Sequence, residues 1–414
     1  MIKAKIIMLA DMESFYASVE IVKNPSLREK PVAVCGDPEK RQGIVLAANK
    51  QAKAYGIKTG MLARDCVRLC PDITLVRPHM QNYIDMSLKI TKIFETFTDR
   101  VFPYTIDEQF LDMSGCEGLF GSAEEMAKLV IKKVWGETGI NCRIGIGENL
   151  LQAKMACDRF AKKNRQGFFR LSHRNYTELT WPLPVRDLFG VGARMERNFF
   201  NIGIRTIGDS ALFPKEEITR RWGVSGEVLW FNANGIDYAT VETPTVGKNS
   251  CKSVGHSITL PRDYSYKKEI EVVLLEITEE VCRRARTLGK AGRVVNLYCQ
   301  GADFNSTAGG FSRQVKMFEA TAITLDVYSY VLKLFYTYWD RRPIRKLGLS
   351  LSGLVDSDKI QLSLVEEKEK KLALSKTMDS IRHRYGLTSL FRLSSLAQGG
   401  LLFERASKIG GHEA

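Results

Sequence analysis

Asp11, Asp107 and Glu108 are the residues whose types and surroundings point most directly to chemistry. Asp11 closes the apolar run Ile6 to Ala10, which reads as a buried strand. Asp107 and Glu108 interrupt Val101 to Met113, a stretch that is strand-like on both sides of them and so reads as a β-hairpin or two closely paired strands. If these strands are neighbours in one sheet, three carboxylates meet at one edge. Like charges repel there unless cations hold them together. Mg²⁺ does so with a few carboxylates plus substrate phosphates. Two such ions, about 4 Å apart, clamp the attacking and leaving oxygens of a phosphoryl displacement. Taken singly, Asp11 is an ordinary strand end and Asp107-Glu108 is common turn chemistry.

The elements that must position these acids follow from periodicity and punctuation. Residues 12–23 read as a helix. Pro31 to Cys35 and Gly43 to Ala47 read as strands around a polar turn, and a helix from about Ala48 to Tyr55 stops at Gly56. Tyr83, Met86, Ile90, Ile93, Phe94 and Phe97 recur at helical spacing. Ser122 with Glu125 makes a capping box for a helix to Trp135. Arg143 to Gly147 reads as a strand and Asn149 to about Lys162 as a helix. Without the inserted residues 24–80, the order is β-α-β-β-α-β, a ferredoxin-like pattern. The order recurs later. A strand near Ser253 to Leu260 precedes a helix with Ile270, Leu274, Ile277, Val281, Ala285 and Leu288 on one face. Strands near Arg293 to Cys299 and Gln314 to Ala322, a helix near Leu325 to Trp339 and a strand near Lys346 to Leu354 complete it. Residues 166–245 look helical and irregular. The charged run Glu366 to Lys371 opens a tail expected to be flexible.

The chain has 414 residues, 44% apolar and 26% charged, which fits several soluble domains. No apolar run approaches the roughly 20 residues of a membrane span. Nine cysteines form no paired framework, and Cys66 with Cys70 has no second pair to complete a zinc site, so reduced thiols and a cytoplasmic location are expected. The net charge of +14 favours a polyanionic partner. Residues 1–165 carry +5, residues 166–245 are neutral, residues 246–361 carry +6 and the tail carries +3, which suits a long groove.

The strings Met8-Leu9-Ala10-Asp11-Met12-Glu13-Ser14-Phe15-Tyr16-Ala17-Ser18-Val19-Glu20 and Tyr104-Thr105-Ile106-Asp107-Glu108-Gln109-Phe110-Leu111-Asp112 closely resemble the two palm motifs of Y-family translesion DNA polymerases, the UmuC/DinB group. The resemblance covers about the first 360 residues and looks closest to the UmuC-like branch of Gram-positive bacteria. It implies an α+β chain with a ferredoxin-like palm (1–23 and 81–165), inserted fingers (24–80) and a helical thumb (166–240). A linker (241–252), a second ferredoxin-like little-finger domain (253–360) and a tail (361–414) follow. It implies low-fidelity, template-directed transfer of deoxynucleotides from their triphosphates to the 3′-hydroxyl of primer–template DNA, with pyrophosphate leaving. Asp11 and Asp107 would bind both Mg²⁺ ions, Glu108 the ion at the primer, and the Met12 carbonyl the ion at the nucleotide.

The same resemblance places Phe15 and Tyr16 at the nucleotide, Tyr16 as the ring that collides with a ribose 2′-hydroxyl. Glu13 is expected at the surface. Lys50 and Lys53, one helical turn apart, would reach the triphosphate, although the family more often has Tyr and Arg there. Lys162 matches a third phosphate ligand. Gly190, Val191, Gly192 and Ala193 resemble a helix-hairpin-helix whose amides approach a DNA phosphate. Lys252, Arg293, Arg313 and Lys316 are candidates for further phosphate contacts. Gln361, Leu362, Leu364 and Val365 resemble the pentapeptide that binds the bacterial sliding clamp, with Val365 where an aromatic residue is usual. A catalytically silent DNA-binding relative, a nucleotide cyclase and a helix-hairpin-helix glycosylase remain alternatives. Intact carboxylates count against the first, the basic second domain against the second, and strand-rich flanks against the third.

Overall fold

The computed structural model describes residues 5–37, 43–241, 251–303, 310–357 and 368–413. They divide into two compact units, the first formed by residues up to 36 and from 43 to 246, the second chiefly by residues from 247 onward.

The first unit opens with β1 (Ile7–Met12) and α1 (Phe15–Lys23), followed by β2 (Val32–Cys35), β3 (Val45–Ala48), α2 (Lys50–Ala54), α3 (Ala63–Leu69) and β4 (Thr74–Val76). Next come α4 (Met80–Glu95), β5 (Val101–Pro103), β6 (Glu108–Asp112), α5 (Glu117–Phe120), α6 (Ala123–Thr138), β7 (Cys142–Gly147), α7 (Leu150–Met155) and β8 (Phe168–Arg170). Helices α8 (His173–Thr180), α9 (Ala193–Phe200), α10 (Ile207–Leu212) and α11 (Lys215–Ala233) complete it. The central sheet runs β5-β6-β1-β7-β8, while β3-β2-β4 forms a small separate sheet. Without β8 the central order is that of a split βαβ fold, as the element order implied.

Alternation along β1 assigns its two faces. Met8, Ala10 and Met12 join the core shared with α1, α4 and α6. Ile7 and Leu9 face the other way, onto Phe110, Ala153 and Cys157. Asp11 continues the Ile7 and Leu9 parity, so it projects toward α7. The capping box of α6 is present as expected, with Ser122 and Glu125 each accepting from the other's backbone N–H.

The segment after β7 departs from a uniform helix. Helix α7 runs into a π turn at Ala156–Phe160 and a 3₁₀ turn at Ala161–Lys163. This segment sits directly on β7. A Cβ at Gly145 would lie 2.0 Å from the Ala153 carbonyl oxygen and 2.3 Å from the Cys157 nitrogen. Both are main-chain atoms, so the whole segment would have to move. Gly145→Ala is therefore expected to destabilise the protein by about 3 kcal/mol or more. A drop in the thermal midpoint of several degrees checks this, and a midpoint unchanged from wild type contradicts it.

The second unit contains β9 (Ser253–Tyr264), α12 (Lys267–Thr287), β10 (Lys290–Gly301), β11 (Phe311–Thr321), α13 (Thr324–Tyr338) and β12 (Ile344–Ser352). Its βαββαβ order repeats that of β1, α1, β5, β6, α6 and β7 in the first unit, but its sheet runs β11-β10-β12-β9. The last strand lies inside, between the first and second, whereas in the central sheet β7 lies outside β1. Leu288, expected on the apolar face of α12, is exposed just beyond its end.

The tail differs from the flexible segment expected. It forms α14 (Lys368–Tyr385) and α15 (Leu402–Ala406) and is tied to α12. Arg286 donates to Asp379 at 2.6 and 2.9 Å, and both Arg382 and Arg392 reach Glu279 at 3.3 Å. The N–H groups of Leu401 and Leu402 donate to the Glu276 carboxylate, and the Leu401 side chain enters the core of this unit. The sequence Gln361 to Val365, with its candidate residues Gln361, Leu362, Leu364 and Val365, lies outside the described residues.

Candidate active site

Strands β1 and β6 pair antiparallel with Asp11 directly opposite Glu108. The Met12 N–H donates to the Asp107 carbonyl at 2.9 Å, which closes the pair at this end. Asp11, Glu108 and the main chain of Asp107 thus come together at one end of the paired strands β1 and β6. Glu108 shares parity with Phe110, so it faces α7 as Asp11 does. Asp107 sits in the turn, and its carboxylate accepts from the Thr105 hydroxyl at 2.7 Å instead of joining the other two.

Cations from α7 and the turns after it cover the buried pair. Lys154 reaches Glu108 at 2.7 Å and Asp158 at 3.1 Å. Lys162 reaches Asp11 at 2.7 Å and Asp158 at 2.9 Å. Burial pushes the Asp11 carboxyl up to about 7; Lys162 opposes that shift, and a hydrogen bond with Glu108 adds to it. Burial works against the charge on Lys162, but Asp11 and Asp158 outweigh it and raise its pKa. Ligand atoms of Asp11, Asp158 and Cys157 lie within 4.8 Å of one another. These oxygens suit a hard divalent cation, which would favour ionised Asp11. The buried Cys157 thiol is pushed well up by burial and is a poor partner for such an ion. Reasoning from the sequence missed Lys154 and Asp158. Their signal was the spacing Lys154, Asp158, Lys162, which repeats every four residues along one face.

The other candidates fall into two groups. Tyr16 is partly exposed on the first turn of α1, close enough for the Asp107 charge to add to the effect of burial in raising its pKa. Lys53 is exposed and donates to the Ser14 hydroxyl at 2.8 Å, which brings α2 to the start of α1. Ser14 itself holds a left-handed conformation, φ 48°, uncommon for a residue with a side chain. Lys50 is exposed and makes no hydrogen bond or ion pair with another described residue.

Phe15 and Met12 are buried in the core, so only their main chains can meet a ligand. Glu13 is not a free surface acid, since it accepts from Arg143 at 2.6 Å. Gly190 has φ 96° and Gly192 precedes α9; both are exposed, as is Ala193, while the Val191 side chain is buried. The segment before this hairpin is only a 3₁₀ turn, Val185–Asp187.

In the second unit, the outward face of the sheet presents Ser253, Gly255 and Ser257 opposite Ser352, Ser350 and Gly348. Asn296 and Tyr298 continue that face, and together with the glycines they line a shallow depression. Lys316 pairs with Val294 on the same face. Arg313 has the opposite parity, and its guanidinium lies 5.2 Å from the Tyr338 ring centroid on α13.

The impB/mucB/samB family matches residues 10–158, and its C-terminal domain matches residues 251–364. The chain is 49% identical over 413 residues to DNA polymerase IV 2 of Bacillus subtilis, covering 100% of both chains. It is 45% identical to DNA polymerase IV 2 of Halalkalibacterium halodurans over 99% of each. A solved Y-family DNA polymerase chimera superposes with a TM-score of 0.71 at 22% identity, covering 84% of this chain and 99% of that one, a likeness of fold. Identity along the whole length, a shared fold and paired acids at the edge of the central sheet agree: the chain belongs to the impB/mucB/samB family, the Y-family DNA polymerases.

Proposed function

We propose that Asp11, Asp107 and Glu108 hold two Mg²⁺ ions at which a deoxynucleotide is joined to a primer 3′-hydroxyl. The chain is a DNA-directed DNA polymerase of the translesion kind; its substrates are DNA and nucleotides, and it uses a divalent metal. The observation that carries the site assignment is the pairing of Asp11 with Glu108 beside the Asp107 turn. When bound, the ions polarise the α-phosphate and activate the 3′-hydroxyl. The protein's part is to aim carboxylates, exclude water and neutralise phosphate. Lys162, which contacts Asp11, and Lys53, which contacts Ser14 at the start of α1, are assigned to the triphosphate, with Lys162 exchanging Asp11 for phosphate. Tyr16 is assigned to the sugar, and the main chain of Phe15 lies beside it.

We assign residues 1–23 and 81–165 to the palm, 24–80 to the fingers, 166–240 to the thumb and 253–360 to the little finger. The exposed amides at Gly190, Gly192 and Ala193 suit a DNA phosphate. The serine-rich sheet face suits backbone contact through hydroxyls. We assign the chain to the cytoplasm, which is in keeping with a DNA substrate. No helix among the described residues is long and apolar enough to cross a membrane. With Mg²⁺ and primed DNA, the purified protein should lengthen the primer and form no cyclic nucleotide. Cyclic product without extension would overturn the assignment.

Held by basic surface alone, such an enzyme leaves DNA readily at cellular salt. A tether to the sliding clamp through Gln361 to Val365 would raise its local concentration. Combining Gln361→Ala with Leu364→Ala is expected to weaken clamp binding and remove clamp-stimulated synthesis, while extension of short primers without clamp is retained. Clamp binding equal to wild type would refute the contact, and loss of unstimulated extension would make the segment structural.

A further inference from the structure

Tyr16 does not stand alone. Its ring stacks on that of Tyr83, with centroids 4.4 Å apart and planes 19° from parallel. Tyr83 is fully buried on the first turn of α4, in the core shared with α1. Its hydroxyl donates to Glu20 Oε1 at 2.6 Å and accepts from the His79 backbone N–H at 3.2 Å. His79 Nδ1 lies 3.0 Å from the same Glu20 oxygen. Glu20 is itself buried, one turn beyond Tyr16 on the same face of α1.

A carboxylate in an apolar core costs stability unless it is paired and hydrogen-bonded. A leucine facing a phenylalanine would fill this space without that cost. What the polar pair adds is orientation. One oxygen fixes the Tyr83 hydroxyl, the hydroxyl fixes the ring in its plane, and the ring backs one face of Tyr16. A ring that excludes one hydroxyl from a sugar must resist being pushed aside, because a shift of about 1 Å is enough to relax such a fit.

We infer that Glu20 and Tyr83 are positioning residues for sugar choice: they hold the Tyr16 ring where a ribose 2′-hydroxyl would collide with it. The inference rests on the assignment of Tyr16 made above. Neither residue touches the nucleotide; both act through Tyr16.

The test uses the full chain on primed DNA with dCTP or CTP opposite guanine, and reads the ratio of the two kcat/KM values. Tyr83→Leu removes the stacked ring and should lower the ratio about tenfold, chiefly by raising the value for CTP. Tyr83→Phe keeps the ring and loses the hydroxyl, and should lower the ratio about threefold. Glu20→Gln keeps an acceptor oxygen and should stay within about twofold of wild type, while Glu20→Leu should match Tyr83→Phe. Added to Tyr16→Ala, Tyr83→Phe should change the ratio no further, since coupled residues are not additive.

Thermal midpoints are measured for every variant. If Tyr83→Leu does not fold, the near-isosteric Tyr83→Phe decides. A lower midpoint with an unchanged ratio in Tyr83→Phe and Glu20→Leu overturns the inference and leaves a packing role. So does an effect of Tyr83→Phe that adds in full to that of Tyr16→Ala. If Tyr16→Ala shifts the ratio and the Tyr83 and Glu20 variants do not, only this inference fails. If Tyr16→Ala does not shift it, the assignment of Tyr16 fails and this inference fails with it.

Discussion

Glu108→Gln is expected to reduce nucleotide addition at least about a thousandfold, equivalent to ~4 kcal/mol of transition-state stabilisation. The amide has the shape of the carboxylate but not its charge, so the fold and the β1–β6 pairing should persist. Lys154 would keep Asp158 as its ionic partner at 3.1 Å, so no buried ammonium is stranded. Affinity for primed DNA should stay close to wild type, because it rests on a net charge of +14 spread along the chain and on exposed main-chain amides, not on one acid. Asp107→Asn should behave in the same way, although the Asp107 carboxylate now turns toward Thr105 and would have to swing to join the others. Single-nucleotide incorporation and a binding titration, performed on the same protein, separate the two quantities. Substantial extension by the Glu108→Gln protein would remove it from the metal site.

Tyr16→Ala should change which sugar is accepted more than how fast deoxynucleotides are added. The ring is partly exposed beside Asp107 and braced by Tyr83, so it presents a firm surface at the edge of the carboxylates. Forcing an extra hydroxyl against a well-packed group costs 1–3 kcal/mol, so removing the ring should lower the ratio of deoxy- to ribonucleotide efficiency about tenfold to a hundredfold. Paired kcat/KM measurements on one template check this. An unchanged ratio would make Tyr16 a packing residue of α1 and place the discrimination elsewhere.

Much of this arrangement is legible in local patterns because local physics produces it. The five apolar residues before Asp11 alternate between two helix-covered faces, so the strand and the parity of its acid follow from the run itself. The Ser122–Glu125 box is a contact across three residues and forms as its sequence requires. What was not legible depends on partners far along the chain. The four-residue spacing of Lys154, Asp158 and Lys162 is visible in the sequence, but the π turn within that segment and its close seat on Gly145 are not, since they involve contacts with β7. Phe15 reads as a nucleotide contact in its motif, yet its side chain is claimed by the core beneath. Charged residues of the tail look solvated in a local window, whereas Asp379 and Arg382 find Arg286 and Glu279 about a hundred positions earlier. The inward place of β12 in the second sheet likewise depends on pairing with both β9 and β10, which no single segment encodes.

Copying of a template, damaged or not, is assigned to the strand ends that carry Asp11, Asp107 and Glu108. The most direct test is extension of a labelled primer by the purified full-length protein across a template abasic site, beside an undamaged control. Mg²⁺-dependent products should reach past the abasic position and be lost when EDTA is added. Primed DNA that is bound but never extended, on either template and with any divalent ion, would contradict that assignment.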